Sequence, residues 1–166
     1  MGALSSGISG GPAIAEPALA AQRFVPPFKM ERMTWIKPSF LWMMYRCGYA
    51  RKEGQERVPA VRIAREGFDR AVSRAVESTI SGKPDVRVQW DPERGLRHEA
   101  LPYRAVQIGL TREAVQKYVH EWTISITDVT ALAREVHAAV RAGDDDKARA
   151  LLPVERPYVT TTAQNA

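Results

Sequence analysis

Hydrophobic and polar residues alternate in several short stretches of the chain, and this pattern predicts β-strands. In the clearest stretch Val86, Val88 and Trp90 share one face while Arg87 and Gln89 occupy the other. The letters DPERG that follow predict a turn. Strands are also expected over residues 33–36, 58–64 and 104–110.

Other segments have the spacing and the end signals of α-helices. The apolar residues between 66 and 80 fall on one stripe of a helix. A second helix is expected after Pro38, with Gly48 ending it. Further helices are expected over residues 111–122, 128–141 and 144–152. Short strands with segregated helices predict an α+β fold, in which short antiparallel or mixed sheets pack with about five helices.

The length of 166 residues suggests one domain. We expect a single α+β domain over residues 15–153, a disordered or atypical N-terminal tail over residues 1–14, and a C-terminal tail over residues 154–166. The first 22 residues contain neither Lys nor Arg, which excludes a secretory signal. No apolar stretch approaches the ~20 residues of a membrane span, so a cytoplasmic protein without a membrane partner is expected.

Cysteine and histidine usage limits the possible chemistry. The single cysteine, Cys47, excludes an internal disulfide and a Cys-rich zinc site. The three histidines lack metal-ligand spacing, so no metal is expected.

The net charge of +5 comes from one part of the chain. Residues 21–70 contain eleven basic and five acidic residues. The positive electrostatic field of this segment favours an anionic partner, either a phosphate-bearing small molecule such as a nucleotide, or nucleic acid. A solvated basic face is the alternative interpretation.

The stretch RMTWIKPSFLWMMYR places a cation before an apolar helix. Lys37 and Ser39 stand where the helix begins, a position that favours bound anions. Arg32 and Arg46 lie close in sequence and complete a candidate phosphate site. Alternatively, Lys37 pairs with a carboxylate such as Glu56, with its stem packed on Trp35.

Two tryptophans and one glutamine are further ligand candidates. Trp35 and Trp90 stand beside polar residues at strand ends, where an aromatic ring could stack on a base; a core position is the alternative. Gln107 stands two residues before Gly109 on a predicted strand and could present its amide to a ligand.

Several motifs identify a resemblance that covers about residues 15–159. RFVPPFK, ERMTWIKPSFLWMMYR, VQWDPER, LPYRAVQIGL and EWTISITDVT resemble the uncharacterised family of bacterial and fungal proteins numbered 4291 among domains of unknown function. Its architecture is in turn similar to that of ADP-ribosyltransferases. That similarity implies a split β fold that clamps NAD, and an NAD-dependent transferase activity.

The resemblance also assigns residues to the transferase motifs. Thr34, Trp35, Lys37 and Ser39 would match the second, NAD-binding motif. Gln107 would match the third, catalytic motif, where active transferases carry a glutamate whose charge stabilises an oxocarbenium-like state. A glutamine there speaks against glycosyl transfer.

The N-terminus departs from the family pattern. Relatives open with a valine–tyrosine–glutamine–alanine–tyrosine strand, where this chain has SSGISGGPAIAEPALAA. We therefore expect residues 2–12 to add no strand to the sheet.

Three functions are compatible with the sequence. The first is a nucleotide-binding protein, with or without ADP-ribosyltransferase-like activity, and the second is a nucleic-acid-binding module. The third is a structural protein with no catalytic activity.

Overall fold

The computed structural model describes residues 3–7 and 11–159, which form an α+β fold with short sheets. This confirms the predicted fold class. The strands of this part of the chain are β1 (Ala3–Gly7), β2 (Thr34–Ile36), β3 (Pro59–Ala64), β4 (Val76–Glu77), β5 (Val86–Arg94), β6 (Ala100–Leu110) and β7 (Thr123–Asp128). The α-helices are α1 (Pro12–Ala21), α2 (Phe40–Cys47), α3 (Arg65–Ser73), α4 (Arg112–Lys117), α5 (Thr130–Arg141) and α6 (Asp145–Leu151).

Four strands form the larger sheet, in the order β2-β6-β5-β4. β6 pairs antiparallel with β2 and β5, whereas β4 pairs parallel with β5. Side chains alternate between the two faces of a sheet. Ile36, Ile108 and Leu110 therefore point to one face, where they are fully buried.

The other three strands form an antiparallel sheet in the order β1-β3-β7. β1 pairs with β3 over five residues, so the prediction that residues 2–12 add no strand is wrong over Ala3–Gly7. α1 begins at Pro12, within the span that the sequence assigned to an N-terminal tail. Small residues without a strand pattern gave no local signal for this pairing. Residues 1–2 and 8–10 of this prediction lie outside the described residues.

Two hydrophobic clusters hold the elements together. The first joins the buried faces of the two sheets to α1, α3 and α4. The second joins α2, α5 and α6 to the turn between β5 and β6. Among the described residues no helix is both long enough and apolar enough to cross a membrane.

Several predicted boundaries are wrong. α3 ends at Ser73, because the chain then forms β4 where a helix up to residue 80 was predicted. The helix predicted over residues 111–122 is α4 followed by a π-helical turn, Tyr118–Trp122. β7 was not predicted, although its alternation of Ile with Ser and Thr is a strand signal.

The predicted turn at DPERG is also wrong. β5 continues through these residues to Arg94, and the chain reverses over Gly95–Glu99, where the Gly95 N–H donates to the Glu99 carbonyl at 2.9 Å. Pro92 is tolerated because β4 pairs with β5 only at Arg87 and Val88. The far edge of β5 is therefore open at the proline.

The predicted C-terminal tail begins beyond α6. Up to Val159 the chain has no regular secondary structure, but Glu155 and Tyr158 bond to the folded part. Residues 160–166 lie outside the described residues.

Candidate functional site

A row of polar side chains crosses the face of the four-stranded sheet that lies opposite Ile36 and Ile108. Gln89 is directly opposite Gln107 in the pairing of β5 with β6. Ile36 is opposite Ile108, so the register continued by one residue places Lys37 on the other side of Gln107. We call this surface the polar face; it carries Trp35, Lys37, Gln89, Asp91 and Gln107.

Lys37 is the most buried charge of the polar face, with 1% of its surface exposed. Its Nζ donates to Asp91 Oδ2 at 2.9 Å and to the carbonyl of Ala105 at 3.4 Å. The ammonium also lies 4.0 Å from the centre of the Trp42 ring, a cation–π contact. Burial lowers the pKa of Lys37, and the bond to Asp91 partly opposes that shift.

Lys37 therefore pairs with a carboxylate, as the alternative interpretation predicted, but that carboxylate belongs to Asp91. Glu56, the suggested partner, accepts from the backbone N–H of Gly54 instead. Asp91 became the partner because β5 continues past Trp90 and alternation carries Asp91 onto the polar face. Its second oxygen accepts from Gln89 Nε2 at 2.7 Å.

The start of α2 is occupied by two further carboxylates. Ser39 caps the helix, accepting from the Trp42 N–H at 3.2 Å, and its hydroxyl donates to Glu93 at 2.7 Å. The Phe40 N–H donates to the Glu155 carboxylate at 2.6 Å. Partial desolvation raises the pKa of Glu155; the hydrogen bond from the Phe40 N–H opposes that shift, and the nearby charge of Glu93 adds to it.

The Gln107 side chain lies between Lys37 and Gln89 on the polar face. Only 7% of it is exposed, and its amide has no hydrogen-bond partner among the described residues. Two residues along β6, a Cβ on Gly109 would lie 3.0 Å from ring atoms of Trp35. The Trp35 ring therefore lies against the backbone beside Gln107, a close approach that glycine permits.

The remaining predicted residues are not part of this row. Thr34 points to the buried face opposite Leu110, and Trp90, on that same face, is half-exposed. Arg32 is exposed in the turn before β2, and Arg46 is exposed in the last turn of α2, away from Ser39. The structure thus brings together Trp35, Lys37, Ser39 and Gln107.

Four residues of the site were not predicted: Gln89, Asp91, Glu93 and Glu155. The first three continue one alternation along β5, and that pattern could have revealed them if the proline had not been interpreted as a turn. Glu155 has no comparable signal, because its contact spans 115 residues. Within the described residues no cluster of three His, Cys, Asp or Glu could hold a metal ion.

The geometry describes a polar sheet face next to a helix start whose donors are bound by carboxylates. This arrangement could bind a polar ligand, but it does not identify a reaction. The chain belongs to the family described as Domain of unknown function (DUF4291), whose family model matches residues 10–158. No curated protein and no solved structure matches the chain.

Proposed function

We propose that this chain binds a nucleotide, or another phosphate-bearing ligand, on the polar face. The observation that carries the proposal is the amide of Gln107, which bonds to no other described group although only 7% of the residue is exposed. The amide is not among the buried, unpaired atoms of the described residues, so its donors and acceptor are open to solvent and available to a ligand. A hydrogen bond that a ligand forms there contributes about 1 kcal/mol.

The neighbours of Gln107 suit a flat, polar ring. A primary amide offers two donors and an acceptor, which match the edge of a nucleobase or of the nicotinamide of NAD. The Trp35 ring, beside Gln107, offers a surface on which such a ring can stack. NAD and ATP are therefore the first ligands to test, in a protein that we place in the cytoplasm.

A phosphate would enter at the start of α2. The Phe40 N–H and the Ser39 hydroxyl point at anions there, and their present partners are Glu155 and Glu93. A phosphate oxygen would replace the Glu155 carboxylate on the Phe40 N–H. Lys37, already neutralised by Asp91, would contribute less than a free cation.

Calorimetric titration with NAD, ATP and inorganic phosphate tests the proposal. Gln107→Leu removes the amide at similar size and should weaken nucleotide binding about tenfold, the scale of one hydrogen bond. Gln116→Leu, the same change at an exposed position of α4, should bind like the parent. Glu155→Gln should strengthen binding of the phosphate-bearing ligands. Equal affinities for Gln107→Leu and Gln116→Leu would refute the assignment.

The proposal is one of binding rather than of glycosyl transfer. Gln107 carries no charge to stabilise an oxocarbenium-like state. The carboxylates nearest in the fold are engaged, Asp91 with Lys37 and Glu93 with Ser39. An NAD-dependent transferase activity would require one of these carboxylates to leave its present partner.

Nucleic-acid binding is the second candidate, favoured by exposed aromatic residues on the β5–β6 hairpin. Trp90 and Tyr103 are both exposed, and Arg104 donates to the Trp90 carbonyl at 2.9 Å. Such rings could stack on bases of a single strand. Binding of a short RNA that weakens steeply with salt and is lost in Trp90→Ala would favour this candidate over the first.

A further inference from the structure

A pocket of about 250 Å³ opens on the side of the molecule where α3 and α4 meet the start of β5. None of its lining residues belongs to the polar face. They are Arg70, Ala71, Arg74, Asp85, Val86, Glu113, Ala114, Lys117 and Trp122.

The floor of the pocket is apolar and is held in place by packing. A Cβ on Gly67 would lie 2.5 Å from Cγ of Trp122, so the indole rests directly on the backbone of α3. Trp122 ends the π-helical turn, a rare conformation that is frequent at functional sites. Its indole N–H has no acceptor among the described residues, and it is not one of their buried, unpaired atoms, so it remains open to solvent although the residue is only 6% exposed.

The charges around the rim do not cancel. Lys117 pairs with Glu113 at 2.7 Å, and Asp85 pairs with Arg112 at 2.9 Å. Arg70 lies in the last turn of α3 and Arg74 directly follows the helix, and neither forms an ion pair with another described residue. One wall of the pocket therefore presents two uncompensated guanidinium groups, which favour carboxylates and phosphates.

We propose that this pocket binds a small organic anion, with a single flat ring over Trp122 and an anionic group directed at Arg70 and Arg74. The volume is below the ~300 Å³ at which pockets for drug-sized ligands begin, which limits the body of the ligand to about one ring. An oxygen of the ligand would also accept from the indole N–H of Trp122. The proposal is independent of nucleotide binding on the polar face.

Nuclear magnetic resonance titration of the full chain with four probes tests the proposal. The probes are benzoate, phenyl phosphate, inorganic phosphate and the uncharged benzamide. Benzoate or phenyl phosphate should move the indole N–H peak of Trp122, identified by its loss in Trp122→Phe. Whichever of these two probes binds more tightly shows whether the site prefers a carboxylate or a phosphate. Benzamide and inorganic phosphate, which each lack one half of the ligand, should bind at least tenfold more weakly.

Matched arginine variants separate a specific site from general attraction to a basic protein. Arg70→Gln with Arg74→Gln should weaken binding of the anionic probes at least tenfold and leave the spectrum folded, because both side chains are exposed. Arg141→Gln, an exposed position at the end of α5, should bind like the parent. The proposal is overturned if the Arg70/Arg74 variant binds like Arg141→Gln, if benzamide binds as tightly as benzoate, or if no probe moves the Trp122 peak.

Discussion

Lys37 shows how a charge can be buried beside an apolar helix. Its ammonium meets a carboxylate, a carbonyl oxygen and an aromatic face, so most of the lost hydration is replaced. The sequence suggested that Lys37 meets either a ligand or a carboxylate. It could not identify Asp91, because that choice depends on how far β5 extends and on its register with β6.

Removing one partner of this pair should destabilise the protein more than removing both charges. Lys37→Met leaves Asp91, 16% exposed, without its counter-charge and should lower the free energy of unfolding by about 3 kcal/mol. Adding Asp91→Asn, which can still accept from Gln89, should restore part of that loss. Urea denaturation of the two single variants and the double variant measures the coupling. If the two effects simply add, the ion pair contributes nothing to folding.

At the scale of elements, the periodicity of apolar residues predicted the presence of a helix or strand better than it predicted where that element ends. β2, β3 and α5 were predicted nearly to their limits, because their patterns are local. β5 was cut short at Pro92, where a proline is allowed only because the neighbouring strand is short. β1 and the π-helical turn depend on contacts with distant residues, which no local pattern encodes.

The contact between α3 and the π-helical turn should depend on the absence of a side chain at Gly67. Alanine normally stabilises a helix interior by about 1 kcal/mol over glycine, but here its Cβ would overlap the indole of Trp122. Gly67→Ala should therefore lower the free energy of unfolding by about 1–3 kcal/mol.

In a Trp122→Leu background the same change should become neutral or stabilising. Thermal melts of the four proteins in this cycle give the sign directly. Destabilisation by Gly67→Ala that persists without the indole would contradict the packing argument.

At the scale of the whole molecule, an aromatic cluster links the end of the β5–β6 hairpin to α5. Tyr49 stands between His98 and His137, with ring centroids at 5.2 and 5.0 Å, and its hydroxyl donates to the Leu96 carbonyl at 2.6 Å. These residues come from three separate parts of the chain. The sequence separation of the histidines gave no signal for their meeting around one tyrosine, which is a product of the tertiary fold.

This cluster should make folding sensitive to mild acid. Burial lowers the pKa of both histidines; the charges of Lys52 and Arg94 add to the shift at His98, where Glu99 opposes it, and those of Arg51 and Arg141 add to it at His137. In the unfolded chain both histidines titrate near 6.5. Below that pH the unfolded state therefore binds more protons than the folded state, and stability falls as the pH drops.

The expected observation is a melting temperature that decreases between pH 7.5 and pH 5.5. Replacing both histidines, as His98→Asn with His137→Gln, should flatten this dependence, because no imidazole then remains in the cluster. Asparagine suits position 98, whose φ of 68° lies in the left-handed region. His120→Gln, at an exposed position, should retain the parental slope. If the double variant loses stability with falling pH as steeply as the parent, the acid sensitivity arises elsewhere in the molecule.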